Sequence, residues 1–379
     1  MYFDHNASTP PDERVLEAML PYLRGQCGNP SSRHEFGTAA RKAINHAREQ
    51  VAAAVGVQPS QVIFVSGGSE ANNLFLKGAA AMLKPAQIAV SAIEHPCVMK
   101  PAQELARSGW QVRKLAVDGN GVVQLDDVEQ ALQTPTGMMS LMLANNETGV
   151  IQPVAQVAAR ARAAGALMHS DAVQVFGKVA VDFDTLGVHA LTLSSHKIYG
   201  PKGAGALIVD KRIELRSLIS GGGQEMGLRA GTENVPAIVG FGAACELAVA
   251  RMDELAWRCA AMCARLEQGL LERGAVLFGA GAARLPNTSY FAFRDIAGET
   301  LVIELDKTGY AVASGSACSA GRQEGASATL LAMGVAPELA RGAVRISLGK
   351  DNDMTQIEDF LRALEQVLLR LRRLAAIAV

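Results

Sequence analysis

Cysteine and long apolar runs are scarce in this sequence of 379 residues. Its six cysteines are too few for a disulfide scaffold in a chain of this length, so free thiols in a reducing compartment, the cytoplasm, are expected. The longest strongly apolar stretch, residues 235–245, is shorter than the roughly 18 residues that a membrane span needs. The first five residues, MYFDH, lack the basic and apolar regions of a signal peptide. Neither export nor a membrane anchor is expected.

An excess of charge of one sign is also missing. Lysine and arginine number 36 against 37 aspartate and glutamate, for a formal net charge of -1. This balance gives no electrostatic reason for direct binding to nucleic acid or to an anionic membrane, and it favours a small-molecule ligand. Hydrophobic residues at 49% and charged residues at 19% are typical of a compact globular protein and exclude wholesale disorder.

Short apolar runs alternate with helical periodicities between residues 14 and 250. This pattern is typical of an α/β fold with a large, mainly parallel sheet and helices on both faces, so a large domain over residues 14–251 is predicted. Amphipathic helices over residues 253–273 and from residue 355 onward indicate a smaller α+β domain, formed by residues 1–13 and 252–379. A further helix is predicted over residues 38–55, and strands over residues 62–65, 88–91, 139–144, 166–170, 190–194 and 206–209.

Ligands of open α/β sheets bind beyond the carboxyl ends of the strands, so the residues that follow the predicted strands are candidate site residues. Ser66, Gly67, Gly68 and Ser69 follow the strand over residues 62–65 and precede a predicted helix. Glycine lets backbone N–H groups approach an anion, the helix N-terminus adds partial positive charge, and Ser69 adds a hydroxyl donor, which together suit a phosphate group. An ordinary strand-to-helix turn with Ser69 as its N-cap explains the same residues.

Two further strand ends carry residues that suit a carbonyl cofactor. Lys197 follows the strand over residues 190–194, where a partly desolvated amine can form a Schiff base. An exposed loop lysine is the plainer alternative, and it accounts for Lys202 better than for Lys197. Asp171 follows the strand over residues 166–170, where a carboxylate can face the ring nitrogen of pyridoxal phosphate and keep it protonated. Alternatively, Asp171 is the N-cap of the next helix.

These residues belong to a set of motifs that spans nearly the whole chain. With this set, the sequence resembles the pyridoxal-phosphate-dependent cysteine desulfurases of the class-V aminotransferase group. The resemblance implies the architecture of a fold type I transferase. The motifs are FDHNASTP (3–10), GNPSS (28–32), SGGSEANN (66–73), EHP (94–96), NNETG (145–149), DAVQ (171–174), SSHKIYGPKG (194–203), RAGT (229–232), SGSAC (314–318) and RISLG (345–349).

The resemblance implies a role toward pyridoxal 5'-phosphate for each matching residue. Lys197 would hold the cofactor covalently, Asp171 would pair with its ring nitrogen, and Gln174 would bond its ring hydroxyl. His95 would stack on the ring face and shuttle a proton. Cys97, two residues further on, either lies near the site or, as the plainer interpretation, is an incidental free thiol. The phosphate would be held by Gly68, Ser69, Ser194, His196 and Thr232, with Thr232 reaching in from the second subunit of a homodimer.

The substrate that the resemblance implies is L-cysteine. Arg345 and Asn146 would hold its carboxylate, a task that suits a bidentate guanidinium. Cys318 lies in a loop of small residues that keeps a thiolate accessible, and its attack on the substrate sulfur would leave an enzyme persulfide and release alanine. A sulfur-acceptor protein, such as an iron-sulfur scaffold or a thiolation enzyme, would take the sulfur. No resident metal is expected, although Cys318 could meet iron or a nascent cluster during transfer.

Two other functions remain open from the sequence. A class-V relative that acts on selenocysteine, or a transaminase or lyase, would keep Lys197 and Asp171 but would not need a loop thiol. An accessory subunit that only binds a sulfur acceptor would be expected to have lost Lys197, Asp171 or Cys318, and all three are present. The chain also departs from the family pattern: no proline occurs in residues 319–326, and Ser69 stands where relatives often have threonine.

Overall fold

The chain folds around two β-sheets. The computed structural model describes residues 1–315 and 325–377, the last three of them by their backbone alone. The strands are β1 (Val62–Val65), β2 (Gln87–Ser91), β3 (Gln111–Leu115), β4 (Thr136–Ser140), β5 (Leu167–Asp171), β6 (Ala190–Ser194), β7 (Gly205–Val209), β8 (Val276–Leu277), β9 (Thr288–Ala292), β10 (Ala313–Ser314) and β11 (Ala343–Ser347). The helices are α1 (Glu13–Arg24), α2 (Glu35–Ala54), α3 (Gly68–Ala80), α4 (Pro96–Leu105), α5 (Leu125–Leu132), α6 (Val154–Ala163), α7 (Phe183–Leu186), α8 (Val235–Glu272), α9 (Gly298–Lys307), α10 (Ala328–Ala332), α11 (Pro337–Arg341) and α12 (Met354–Ile377).

Seven strands form the larger sheet in the order β1-β7-β6-β5-β4-β2-β3. β7 runs antiparallel to both neighbours, and the other neighbouring pairs are parallel. Successive residues of β1 point to opposite faces: Val62 and Phe64 join a core with α2, α6 and α8, whereas Ile63 and Val65 join a second core with α3 and α4. Both faces of the sheet are therefore covered, and the predicted fold class is confirmed.

Five of the six predicted strands match observed strands to within one residue at each end. The strand predicted over residues 139–144 is wrong in its limits, because β4 ends at Ser140 and the N–H of Met142 donates to the Glu94 carboxylate instead of to a strand. β3 was not predicted, because it lies at the sheet edge and its sequence, QVRKL, is largely polar and partly exposed. An edge strand needs no continuous apolar run, so periodicity does not reveal it.

The smaller sheet has four antiparallel strands in the order β10-β11-β9-β8. Residues of α8, α9 and α12 pack on it around a hydrophobic core that includes Phe291 and Phe360. The N-terminal segment belongs to the same core, since Phe3 is fully buried there. The limits of the two predicted domains stay a prediction, because α8 runs through residue 251 without a break.

α8 is longer than the helix predicted over residues 253–273. It begins at Val235, behind the Asn234 N-cap, and so includes the apolar run over residues 235–245. By length and composition alone it could cross a membrane, but half of its most apolar 18-residue window is buried inside the protein. It packs against α1, α2 and α12. The buried apolar residues of α8 belong to two cores of the fold, whereas Val249, Trp257 and Leu271 are exposed.

The ion pair between Arg48 and Glu225 is expected to hold the segment that precedes residue 230 against the large sheet. Arg48, on α2, donates to both Glu225 oxygens at 2.7 and 2.8 Å, and the Glu225 side chain is only 2% exposed. Arg48→Ala would leave a buried carboxylate without its cation, so we expect the free energy of unfolding to fall by about 3–5 kcal/mol in urea denaturation. Arg362→Ala, which removes an exposed pair with Asp359, should cost less than about 1 kcal/mol. Equal losses of unfolding free energy in the two variants would contradict a stabilising role of the Arg48–Glu225 pair.

Candidate active site

A cleft of about 710 Å³ opens beyond the carboxyl ends of the central strands of the large sheet. Five separate segments of the chain line it, and the Asp171 carboxylate and the Ser194 hydroxyl come from the last residues of β5 and β6. Nine residues predicted from the sequence meet in this cleft, joined by four others. The predicted ones are Gly68, Ser69, His95, Asn146, Asp171, Gln174, Ser194, His196 and Lys197, and the others are Cys97, Met142, Ala144 and Val173.

The turn between β1 and α3 has the features of an anion cradle. Gly67 takes a φ of +153°, which disfavours any side chain, and α3 begins at Gly68, so unpaired helical N–H groups lie at the cleft wall. A Cβ on Gly67 would lie 4.0 Å from the Ser194 hydroxyl oxygen. That hydroxyl is buried and has no hydrogen-bond partner among the described residues. Buried hydroxyls are seldom left without a partner, so an anion fits between the Ser194 hydroxyl and the N–H groups at the start of α3.

The alternative explanation of Ser69 as an N-cap is wrong. Gly67 occupies the N-cap position of α3, no side chain caps this helix end, and Ser69 is the second residue of the helix. The helix therefore begins two residues earlier than an N-cap at Ser69 would place it, and its N-cap takes a φ that glycine tolerates best.

Lys197 ends a 3-10 turn, Ser195–Lys197, that directly follows β6. Its Nζ donates to the backbone carbonyl of Asn6 and, at 2.8 Å, to that of Ala7. The residue is half-buried, whereas Lys202 is exposed. An exposed loop lysine therefore describes Lys202 and does not describe Lys197.

Tyr199, just after Lys197, is held in a strained backbone conformation by its neighbours. Its φ of +66° is unusual for a bulky residue and costs about 1–3 kcal/mol. The surroundings hold it there: its N–H donates to Thr9 Oγ1 at 2.7 Å, and its hydroxyl accepts the N–H of Lys350 at 2.7 Å. The Arg251 guanidinium lies over its ring, 4.7 Å from the centroid. This fixed turn limits where the Lys197 amine can reach.

A hydrogen-bonded chain joins His95 to Asp171. His95 Nδ1 lies 2.8 Å from Cys97 Sγ, and Asn72 Nδ2 donates to Cys97 Sγ at 3.0 Å and to Asp171 Oδ2 at 2.7 Å. Burial lowers the pKa of His95, and burial together with the Asp171 charge raises the pKa of Cys97 to about 12. Both groups are therefore neutral near pH 7. Cys97 is not incidental, because it links the two predicted residues.

The alternative explanation of Asp171 as the N-cap of the next helix is also wrong. Its Oδ1 accepts the N–H of Val173 at 2.9 Å, and so it caps a turn. The next helix, α7, begins only at Phe183 and has Asp182 as its N-cap. The carboxylate of Asp171 therefore bonds a turn and Asn72 while lining the cleft.

Asn6 and Lys178 are site residues to which the sequence assigned no role. Asn6 is 1% exposed, and its backbone carbonyl accepts Lys197 Nζ and, at 3.0 Å, Gln174 Nε2. Its side-chain oxygen accepts Lys178 Nζ at 2.9 Å and Asn287 Nδ2 at 3.2 Å. The FDHNASTP motif was a signal for Asn6, whereas Lys178 lies outside every motif.

Two of the predicted site residues, Arg345 and Thr232, do not line the cleft, and a third lies outside the described residues. Arg345, on β11, is buried, and it reaches the cleft wall by donating to the backbone carbonyl of Asn146 at 2.9 Å and to the Asp4 carboxylate. Its Nε has no partner among the described residues. Thr232 is exposed, and Cys318 lies outside the described residues. Within residues 1–315 and 325–377, no group of three or more His, Cys, Asp or Glu could hold a metal ion.

Comparison with known proteins relates this site to a family. The Aminotransferase class-V family matches residues 1–360. Cysteine desulfurase 2 of Trichormus variabilis is 41% identical over 378 residues, which cover 99% of this chain and 94% of that protein. A solved NifS-like protein has a TM-score of 0.92 at 38% identity, covering 97% of this chain and 99% of its own. The structure of SspA in complex with cysteine has a TM-score of 0.81 at 34% identity, covering 92% of this chain and 98% of its own. The chain therefore belongs to the class-V aminotransferase family.

Proposed function

We propose that this chain is a cysteine desulfurase that uses pyridoxal 5'-phosphate, converts L-cysteine to L-alanine and holds the sulfur as a persulfide on Cys318. The observation that carries the proposal is the cleft, in which a buried anion cradle, a carboxylate and a half-buried lysine from different segments meet. A relative that is 41% identical over nearly the whole chain is named cysteine desulfurase. A related solved structure, at 34% identity, is a complex with cysteine.

Pyridoxal 5'-phosphate fits the donors and acceptors of the cleft. The partnerless hydroxyl of Ser194 and the helix start at Gly68 suit its phosphate. Asp171 suits its ring nitrogen, the Gln174 amide its ring hydroxyl, and the Lys197 amine its carbonyl. When bound, this cofactor supplies an electron sink for charge that develops on the substrate carbon.

The surrounding residues bind the substrate and move protons. The Arg345 guanidinium has a free Nε donor and lies against Asn146, so the two suit the carboxylate of L-cysteine. Because burial lowers the pKa of His95, its neutral imidazole can accept a proton from the substrate. The Lys197 amine is the base that would remove the proton from the substrate α-carbon.

Cys318 supplies the nucleophile for sulfur. Its thiolate attacks the substrate sulfur, so that an S–S bond forms as the C–S bond breaks. The electron pair of the broken bond stays with the carbon, which takes a proton and ends as the methyl group of alanine. The persulfide then passes to the thiol of an acceptor protein, for iron-sulfur cluster assembly or for a thiolation enzyme. Five described cysteines are all free, which supports a reducing compartment, the cytoplasm in this proposal.

The proposed enzyme is a homodimer. Thr232 is exposed, and large apolar side chains are exposed nearby in the sequence at Leu218, Ile219 and Met226. Exposed apolar groups of this kind favour a protein interface. A second subunit on this surface would bring Thr232 to the phosphate of its partner.

Cys318→Ala should separate desulfuration from other class-V reactions. With L-cysteine and a reductant, we expect sulfide release to fall by about 100-fold or more, because no thiolate receives the sulfur, while the bound cofactor keeps its yellow absorbance. Sulfide and alanine are measured together, and Cys27→Ala, at an exposed thiol, should match the wild type. Undiminished sulfide would indicate a lyase, and a yellow wild type that is inert toward cysteine would indicate a relative acting on another amino acid.

Lys197→Ala should abolish covalent attachment of the cofactor. Without that amine, borohydride should no longer fix pyridoxal 5'-phosphate to the protein, and alanine formation should fall by roughly 1,000-fold or more. Mass spectrometry of the intact protein detects the fixed cofactor. Lys202→Ala, at the exposed lysine of the same motif, should behave as the wild type. Fixation that persists in Lys197→Ala would contradict the assignment.

The homodimer predicts both a mass and a mutant effect. Light scattering should give about twice the chain mass of 39.8 kDa. Thr232→Ala should weaken cofactor binding by about tenfold or more through loss of a phosphate donor, with no change in mass, since a hydrogen bond to a charged group contributes about 1.5–3 kcal/mol. Thr134→Ala, at another exposed threonine, serves as the control. A monomeric holoenzyme would refute the shared site.

A further inference from the structure

Lys178 is a lysine beside the cleft that the proposed reaction does not use. Its Nζ lies 3.2 Å from Gln174 Oε1 and 2.9 Å from Asn6 Oδ1. Gln174 lines the cleft. Lys178 lines a second cavity, and Lys197 lines both the cleft and that cavity. The Gln174 amide therefore stands between Lys178 and the cleft.

The chemistry of the two groups decides which end of the amide faces which way. A glutamine amide has an accepting oxygen and a donating nitrogen of similar shape, so its orientation depends on its partners. Lys178 Nζ donates to the oxygen of Gln174. The Gln174 nitrogen has two hydrogens and uses one on the Asn6 carbonyl, at 3.0 Å. One N–H of Gln174 thus remains for a ligand acceptor.

The local backbone places Lys178 for this contact. Gly177 takes a φ of +77°, and a Cβ there would lie 2.8 Å from Ile198 Cγ2, so the chain turns tightly over the Lys197 segment. Burial, with the charges of Lys197 and Arg345, lowers the pKa of Lys178 to about 7. Charged or neutral, the amine has enough hydrogens for both of its acceptors. The contact with Gln174 is therefore available in either protonation state.

We propose that Lys178 is a positioning residue that donates to Gln174 Oε1 and thereby holds the Gln174 N–H toward the ring hydroxyl of the cofactor. Without this donor only the bond to the Asn6 carbonyl holds the amide, so the second N–H of Gln174 is no longer fixed toward the ring oxygen. The inference rests on the proposed function, because it needs pyridoxal 5'-phosphate in the cleft. Lys178 acts through Gln174 and makes no contact with the substrate.

A double-mutant cycle on cofactor affinity tests this inference. Lys178→Met keeps the length of the side chain and removes the donor, so we expect the Kd of pyridoxal 5'-phosphate for the apoprotein to rise about tenfold. In a Gln174→Ala background the same substitution should change the Kd by less than about twofold, because the amide it orients is gone. Lys202→Met is the control for loss of a nearby lysine.

The absorbance of the bound cofactor gives a second readout. Its maximum should shift in Lys178→Met in the same direction as in Gln174→Ala, since both variants lose the same bond to the ring hydroxyl. A tenfold loss of affinity in both backgrounds would overturn the inference, because Lys178 would then act independently of Gln174. If the wild type binds no pyridoxal 5'-phosphate, the proposed function itself fails.

Gln174→Glu decides the question if Lys178→Met does not fold. Gln174→Glu and Gln174→Leu both lose the N–H that Gln174 donates to the Asn6 carbonyl, but only Gln174→Glu keeps an oxygen that can pair with the Lys178 amine. We therefore expect the Gln174→Glu apoprotein to melt at a higher temperature than the Gln174→Leu apoprotein, and equal melting temperatures would contradict the contact. Thermal denaturation of the apoprotein measures this without any catalytic activity.

Discussion

The placement of Asn6 between the two sheets is the constraint on which the site depends. Phe3 anchors the N-terminal segment in the core of the small sheet, and the Asn6 N–H donates to Ser347 Oγ on β11 at 2.9 Å. The two oxygens of the same residue accept the amines of Lys197 and Lys178 from the large sheet. One short segment thus sets the distance between the lysine turn and β11, which also holds Arg345. The cleft exists because this segment is buried rather than frayed.

The electrostatics of the cleft follow from three basic side chains that lie near one another. Burial, with the charges of Lys197 and Arg345, lowers the pKa of Lys178, and the Ala7 carbonyl and the Asp4 carboxylate accept hydrogen bonds from Lys197 and Arg345. His95 and His196 are neutral near pH 7, because burial lowers the pKa of both, that of His196 to about 4. The two imidazoles therefore add no positive charge to the cleft near pH 7. Such a site suits a ligand with a phosphate and a substrate with a carboxylate.

Much of the site was predictable because its residues sit at strand ends. Asp171, Ser194 and Lys197 were placed correctly beside one cleft, since a parallel sheet brings the carboxyl ends of its strands to one edge. The glycine turn before α3 was singled out too, but the alternative N-cap, Ser69, lies two positions beyond the observed one, because sequence does not show the φ of Gly67. Cys97, Asn72 and Lys178 were missed as participants because their roles arise from contacts between segments.

The sequence by itself determined the fold class and the strand-end chemistry, because alternating apolar runs and local motifs depend on neighbours along the chain. It also excluded a large net charge of either sign, since composition alone sets net charge. Only the tertiary structure decided that α8 begins at Val235 and contributes to the cores of both sheets. It also decided that the edge strand β3 exists and that Asn6 accepts hydrogen bonds from two lysines. Those features depend on groups far apart in sequence, whose approach is governed by packing and by the need to pair buried polar atoms.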